Sequence, residues 1–189
     1  LSTPRLRGLL AINMSVAAAS AIVIVNTVVY VQSAFGLGTQ ETALAFAAFG
    51  AGSLVAALAL PQVFEKFPDR TVMLLAALTL TLGAMASGTI EGFENLLALW
   101  FVLGLGCAAA QIPAGRLLKR SAPPEEGPDI FTAQFALSHA CWLITYPIAG
   151  WVGVWAGLSY TAFILATICA LAGVAALFFW PSSRLEAAE

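Results

Sequence analysis

Charge is what this sequence has least of. Of 189 residues, 8 are Lys or Arg and 10 are Asp or Glu, so charged side chains make up 10% of the chain, against about 25% in soluble domains. An ordinary water-soluble domain is excluded. A net charge of -2 without any long basic run excludes nucleic acid as a partner. Histidine occurs once, at His139, which rules out the His-Glu-x-x-His pair of a membrane metallopeptidase. Cysteine occurs three times, at Cys107, Cys141 and Cys169, each inside an apolar segment and without Cys-x-x-Cys spacing. The cysteines therefore read as small reduced hydrophobes, and neither a disulfide framework nor a zinc knuckle is encoded. The nearest approach to a serine-protease Gly-x-Ser-x-Gly is Gly50-Ala51-Gly52-Ser53, which lacks the downstream glycine. No enzyme, resident cofactor or metal site is expected.

What is present is apolar surface: 60% of the residues are hydrophobic and the mean hydropathy is +0.91. A hydrocarbon core about 30 Å thick needs about 20 apolar residues per helix. Charged residues and Gly/Pro punctuation divide the chain into six such stretches, near 8–35, 41–64, 70–90, 95–118, 129–154 and 157–180. Runs such as 72–82 and 158–180 are nearly continuous, whereas a transmembrane β-barrel would alternate apolar and polar residues in segments of about ten. The expected fold is an all-α membrane protein, one domain over 1–189. The loops are too short to hide a soluble domain, the longest being 121–129.

Alternate connections of a six-span chain fall on opposite sides. Arg5, Arg7, Lys66, Arg70, Arg116, Lys119, Arg120 and Arg184 all land on the side that holds both termini. Basic loops stay cytoplasmic, so both termini are expected in the cytoplasm. Arg5 and Arg7 before the first stretch superficially suggest a signal peptide, but the stretch is too long for one and has no clean cleavage site. The chain begins at Leu1 rather than a methionine, which predicts a piece of a longer chain.

Polar side chains in hydrocarbon are costly, so each must find a partner helix or line a water-filled cavity. In the first helix Asn26, Tyr30 and Ser33 share one face, with Asn13, Ser20 and Thr27 on an adjacent stripe and Gln32 near the outer end. This face either lines a pathway or supplies interhelical hydrogen bonds. In the fourth helix Gly104, Cys107, Gln111 and Gly115 form a stripe beside Pro113, a combination that lets a helix approach its neighbours and bend. Gln111 serves either substrate contact or packing. Arg116, Lys119 and Arg120 complement that helix's C-terminal dipole and anchor it to headgroups.

The fifth helix carries His139 near mid-membrane, on a face with Phe135, Trp142 and Tyr146, while Gln134, Ser138, Cys141 and Thr145 form a separate stripe. His139 is either a neutral imidazole hydrogen-bonded among aromatics or a proton or substrate group. His139 and Cys141 offer nitrogen and sulfur, but residues two apart on a helix point about 200° apart, so one ion cannot hold both. Pro147 and Gly150 mark a hinge or a close-packing point.

Six helices with the charged connection 65–70, Glu-Lys-Phe-Pro-Asp-Arg, resemble one half of a major facilitator superfamily transporter over nearly the whole chain. Members carry a Gly-x-x-x-Asp-Arg-like signature in that connection; Asp69-Arg70 keeps the acidic-basic pair without the glycine, as is typical of C-terminal halves. The fourth helix keeps the family's Gly-x-Gly as Gly104-Leu105-Gly106, and Trp100 stands where many N-terminal halves carry an arginine. Residues 26–32 are similar to the cavity-facing part of the family's seventh helix, and the end after Trp180 is similar to a family C-terminus.

The resemblance implies helices seven to twelve of a twelve-helix carrier working by alternating access, with the first, fourth and fifth helices bordering a central cavity. It further implies Asp69-Arg70 as a cytoplasmic gate latch, a small-molecule or ion substrate, and an N-terminal six-helix half as partner. Residues 134–150 are similar to bacterial efflux permeases of the superfamily, some linked to divalent-metal resistance, which implies an inner-membrane efflux system. Proton coupling is the family's common energy source, and because no Asp or Glu lies inside a span, an essential carboxylate would belong to the other half. Two alternatives remain open at this point: a half that pairs with a second copy of itself, and a non-transporting membrane scaffold whose polar groups are all paired.

Overall fold

The computed structural model describes residues 4–121 and 127–180, all of the regular structure there being helical. α1 spans Pro4–Val28 and ends in a π-helical turn, Val29–Ala34; α2 spans Thr39–Lys66, α3 Asp69–Ser87, α4 Phe93–Gln111, α5 Ala114–Ser121, α6 Gly127–Ala156 and α7 Leu158–Phe179. Taken with the π-helical turn and with α4–α5 as one span, six helical segments are long and apolar enough to cross a membrane. Arg184 and residues 122–126, on which the side assignment and the longest loop partly rest, lie outside the described residues.

The prolines of the fourth and fifth spans behave differently. The bend expected at Pro113 divides the fourth span: the chain turns at Ile112-Pro113 and restarts as α5, because Pro113 has no N–H to continue the ladder and its ring crowds the preceding turn. Its carbonyl instead caps the new helix, accepting from Arg116 N at 3.0 Å and Leu117 N at 3.1 Å. Pro147, a candidate hinge or close-packing point with Gly150, sits inside a continuous α6, and among the described residues a Cβ on Gly150 would meet Val25 at 4.0 Å. The connection from α6 to α7 is a single residue, Gly157, whose φ of +86° a side chain would disfavour.

α1 is the centre of the bundle. Its apolar window is 72% buried, against 22% for α2 and 17% for α6. Leu9, Ile12, Val16, Ala19 and Val23 are enclosed by α3, α4, α6 and α7. The small side chains of 15–21, Ser-Val-Ala-Ala-Ala-Ser-Ala, let neighbours close in on every side. Polar groups here are satisfied within and across helices: Ser20 Oγ donates to the Ala17 carbonyl at 3.2 Å, Ser15 Oγ to the Cys169 carbonyl at 2.9 Å, and Thr145 Oγ1 to the Ala17 carbonyl at 3.1 Å. The three cysteines are free and buried.

One end of the bundle collects the basic residues. The N-terminal Gly8 of α1 lies against Trp180, which follows α7, and Arg70 at the start of α3 donates its Nε–H to the Trp180 carbonyl at 2.7 Å. Asp69 pairs with Arg116 of α5. The start of α1, the α2–α3 connection, α5 and the end of α7 therefore share one end, as expected of all the basic positions the structure describes.

Candidate functional site

Three groups of residues bear on function, and the first lies on α6. Phe135, His139, Trp142 and Tyr146 recur at helical spacing and form a continuous ladder: ring centroids are 3.9 Å apart for Phe135–His139, 4.9 Å for His139–Trp142 and 6.2 Å for the stacked Trp142–Tyr146 pair. The His139 Nδ1 lies 2.8 Å from the Phe135 carbonyl oxygen. A carbonyl only accepts, so Nδ1 carries the hydrogen and Nε2 of the neutral ring presents its lone pair away from the backbone. His139 is exposed and Phe135 is 63% exposed. At 1.5 Å per residue His139 sits about 18 Å along α6 from Gly127, deep within the span. The stripe Gln134, Ser138, Cys141 and Thr145 is turned inward: Cys141 and Thr145 are buried against the bundle, and Gln134 and Ser138 are half-buried. His139 and Cys141 thus face different surroundings. Among the described residues no three His, Cys, Asp or Glu side chains converge as a metal site.

The second group is the interior end of α1. From sequence the face of Asn26 and Tyr30 either lines a pathway or bonds to neighbouring helices; in this structure both are inside the bundle, at 2% and 4% exposure. The Tyr30 hydroxyl donates to the Ser87 carbonyl at 2.8 Å, and its ring meets Trp100 edge-on at 5.6 Å. The Trp100 indole N–H donates to Thr27 Oγ1 at 2.7 Å, and Thr27 donates to the Val23 carbonyl. Trp100, noted in the sequence only as a departure from a family arginine, is the pivot of this cluster. Among the described residues the buried Asn26 and Asn13 amide nitrogens find no partner, an uncommon state that costs about 1–3 kcal/mol per group. Gln111 is exposed at the opposite end of α4. Asn26, Tyr30, Gln111 and the stripe from Gln134 to Thr145 therefore do not border one cleft in this conformation.

The third group is the ion network at the basic end. Asp69 and Arg70, expected to act as a latch together, are split. Asp69 pairs with Arg116 and, at 3.6 Å, with Arg120 on α5, while Arg70 turns to the end of α7. The Arg116 guanidinium also lies 3.9 Å over the Phe64 ring of α2. Asp69 stands in the first turn of α3, where the helix dipole favours a carboxylate. A single residue thus joins α2, α3 and α5. The arginine side chains are 43% and 67% exposed but the Asp69 side chain only 10%, so Asp69→Asn should cost about 1–2 kcal/mol of stability, more than breaking a fully exposed pair. Thermal unfolding of the variant beside the wild type measures that cost.

Gly104 and Gly106 are packing residues on opposite sides of α4: a Cβ on Gly104 would overlap the Phe49 carbonyl of α2, and one on Gly106 would press on Leu80 of α3 at 2.9 Å. The matching position on α2 is Gly52, whose Cβ would overlap the Phe101 carbonyl. Read by sequence alone, Gly52 attracts no notice as a packing residue. Its only signal is the small-residue series Ala48, Gly52, Ala56 at four-residue spacing.

No curated protein matches the chain significantly. The sequence model of the Major Facilitator Superfamily matches residues 9–189, nearly the whole chain, and with its six apolar helices the protein belongs to that superfamily of membrane transporters.

Proposed function

We propose that this chain is the C-terminal half of a secondary active transporter that moves a small solute outward across a bacterial inner membrane, with both termini cytoplasmic and proton movement as the driving force. The observation that carries the reading is the aromatic ladder on α6, whose Phe135 and His139 are exposed while Trp142 and Tyr146 are half-buried. An imidazole deep in a span is tolerated where it faces protein or a water-filled cavity rather than acyl chains. α6 is also the least enclosed of the six spans. A second six-helix half against α6 and α2 would enclose that ladder and place His139 beside a central pathway, the arrangement alternating access requires. Among the described residues every Asp and Glu stands at or near a helix end or in a connection. On the exposed face of α6 His139 then offers the pathway a ring nitrogen that can accept or donate a hydrogen bond.

The scaffold reading expects Asn26, Gln111 and His139 to be paired inside a dry bundle. The unpartnered Asn26 amide and the exposure of Gln111 and His139 favour transport instead. Asn26 is suited to gain its missing acceptor from substrate or from a second conformation.

The test is substrate flux driven by a pH gradient in inverted vesicles carrying the full-length protein. His139→Ala is expected to lower flux at least tenfold while leaving folded yield unchanged, because an exposed ring leaves no cavity in the bundle. Wild-type flux in that variant would defeat the assignment of the pathway to α6. A water-soluble thiol reagent should label cysteines placed along the exposed face of α6 and spare those on the outer face of α7.

A further inference from the structure

A groove of about 450 Å³ runs between α3 and α7, lined among the described residues by these two helices alone. It lies apart from α2 and α6, so it does not coincide with the face proposed to meet the other half. Its floor is deep because the facing residues are small: a Cβ on Gly173 would already touch the Ala77 methyl at 3.7 Å. Its rims are leucines and valines left exposed, Leu75 at 58%, Leu78 at 54% and Leu177 at 50%. The lining is aliphatic apart from threonines and a single charged residue, Arg70, at one end.

The dimensions and the charge identify an occupant. Arg70 stands in the first turn of α3, and the groove follows that helix as far as Thr81. Eleven residues at 1.5 Å each make about 16 Å, half of a hydrocarbon core about 30 Å thick. The groove therefore runs from one membrane interface to the mid-plane, the depth of one leaflet. Arg70 is held at the interface by its Nε–H bond to the Trp180 carbonyl. Neighbouring Asp69 is engaged by Arg116 and Arg120 and does not oppose an incoming anion.

We propose that this groove is a binding site for an anionic phospholipid of the basic-end leaflet, with one acyl chain lying between α3 and α7 and the phosphate against the Arg70 guanidinium. The planar guanidinium suits a phosphate, and the apolar trough accepts a saturated chain without burying a polar group. Bound there, a lipid would tie the start of α3 to the end of α7 and extend the Arg70–Trp180 contact.

Native mass spectrometry of the full-length protein in detergent, with phosphatidylglycerol and phosphatidylcholine supplied together, tests the assignment. Phosphatidylglycerol is expected to be retained about fivefold over phosphatidylcholine. Arg70→Gln should abolish that preference and Arg70→Lys should keep most of it. Lys119→Gln, the same change of charge at the same end, should leave it intact. Val174→Trp adds bulk at a half-exposed rim of the groove, where it is not expected to disturb folding, and should reduce retention of both lipids. Equal retention of the two lipids, a preference surviving Arg70→Gln, an equal loss in Lys119→Gln, or retention unchanged by Val174→Trp would each overturn the proposal.

Discussion

Gly52→Ala is expected to destabilise the protein by about 3 kcal/mol, whereas Gly50→Ala, two residues away on the same helix, should be neutral or slightly stabilising. The contrast follows from which face of α2 each glycine occupies. At Gly50 a Cβ would meet nothing within 4 Å, so alanine there gains the intrinsic advantage it holds over glycine in a helix, up to about 1 kcal/mol. At Gly52 the added methyl would overlap the Phe101 carbonyl of α4, and at Gly104 it would overlap the Phe49 carbonyl of α2. Those obstacles are helical backbone, so relief requires one helix to move away from the other. Overpacking a close contact typically costs about 1–3 kcal/mol, and here it also stretches the bond from Ser53 Oγ to the Gly104 carbonyl, 3.1 Å long. The two glycines pack reciprocally across one crossing, so their effects should not add: once α2 and α4 have parted for one methyl, the second finds room. Tryptophan fluorescence during SDS-induced unfolding of Gly50→Ala, Gly52→Ala, Gly104→Ala and the 52/104 double variant would measure this. A double variant that loses the full sum of the two single losses would sink the reciprocal crossing.

That crossing marks where reading the sequence stops. The six spans are legible because a bilayer imposes length and apolarity on each helix independently, with no need to know its neighbours. The shared basic end is legible for a similar reason, since the side a loop occupies follows from counting spans. Pairing is different. Gly104 and Gly106 read as one motif, yet two positions on a helix are about 200° apart, and they meet α2 and α3 respectively. Gly52 is an ordinary small residue until α4 is laid across it. Asp69 and Arg70 are neighbours in sequence, and their adjacency suggested a joint role. Their partners, Arg116 and Trp180, are 47 and 110 residues onward, and only the bundle selects them. Tyr30 and Asn26 read two ways because polarity in a span signals either a cavity or a helix contact. The inward turn of this stripe depends on α1 being central, which no local pattern encodes. The π-helical turn at Val29–Ala34 falls in the same class, carrying Tyr30 to the Ser87 carbonyl of α3.

Trp100→Ala is the second substitution with a large expected effect, and the cluster around it predicts an order among neighbours. The indole is fully buried, and removing such a ring leaves a cavity that costs about 3–5 kcal/mol. Trp100→Phe keeps an aromatic edge toward Tyr30 and loses the N–H bond to Thr27. Because the Thr27 hydroxyl still donates to the Val23 carbonyl, no polar group is orphaned, and the loss should stay near 1 kcal/mol. Thr27→Val is the harsher way to break the same bond, since it strands the indole N–H in an apolar interior at about 1–3 kcal/mol. Combining Trp100→Phe with Thr27→Val should then cost less than the two separately, because the donor stranded by valine is no longer there. The damage from Trp100→Ala should also be local. Tyr30, Ser87 and Trp100 gather at the end of the bundle opposite the arginines, so hydrogen exchange should quicken across residues 29–34. Amides in the first turn of α3, held by Asp69 and its partners, should keep their protection. Equal loss for Trp100→Phe and Trp100→Ala, or exchange rising uniformly at both ends, would mean that the ring fills space without tying α1 to α3 and α4.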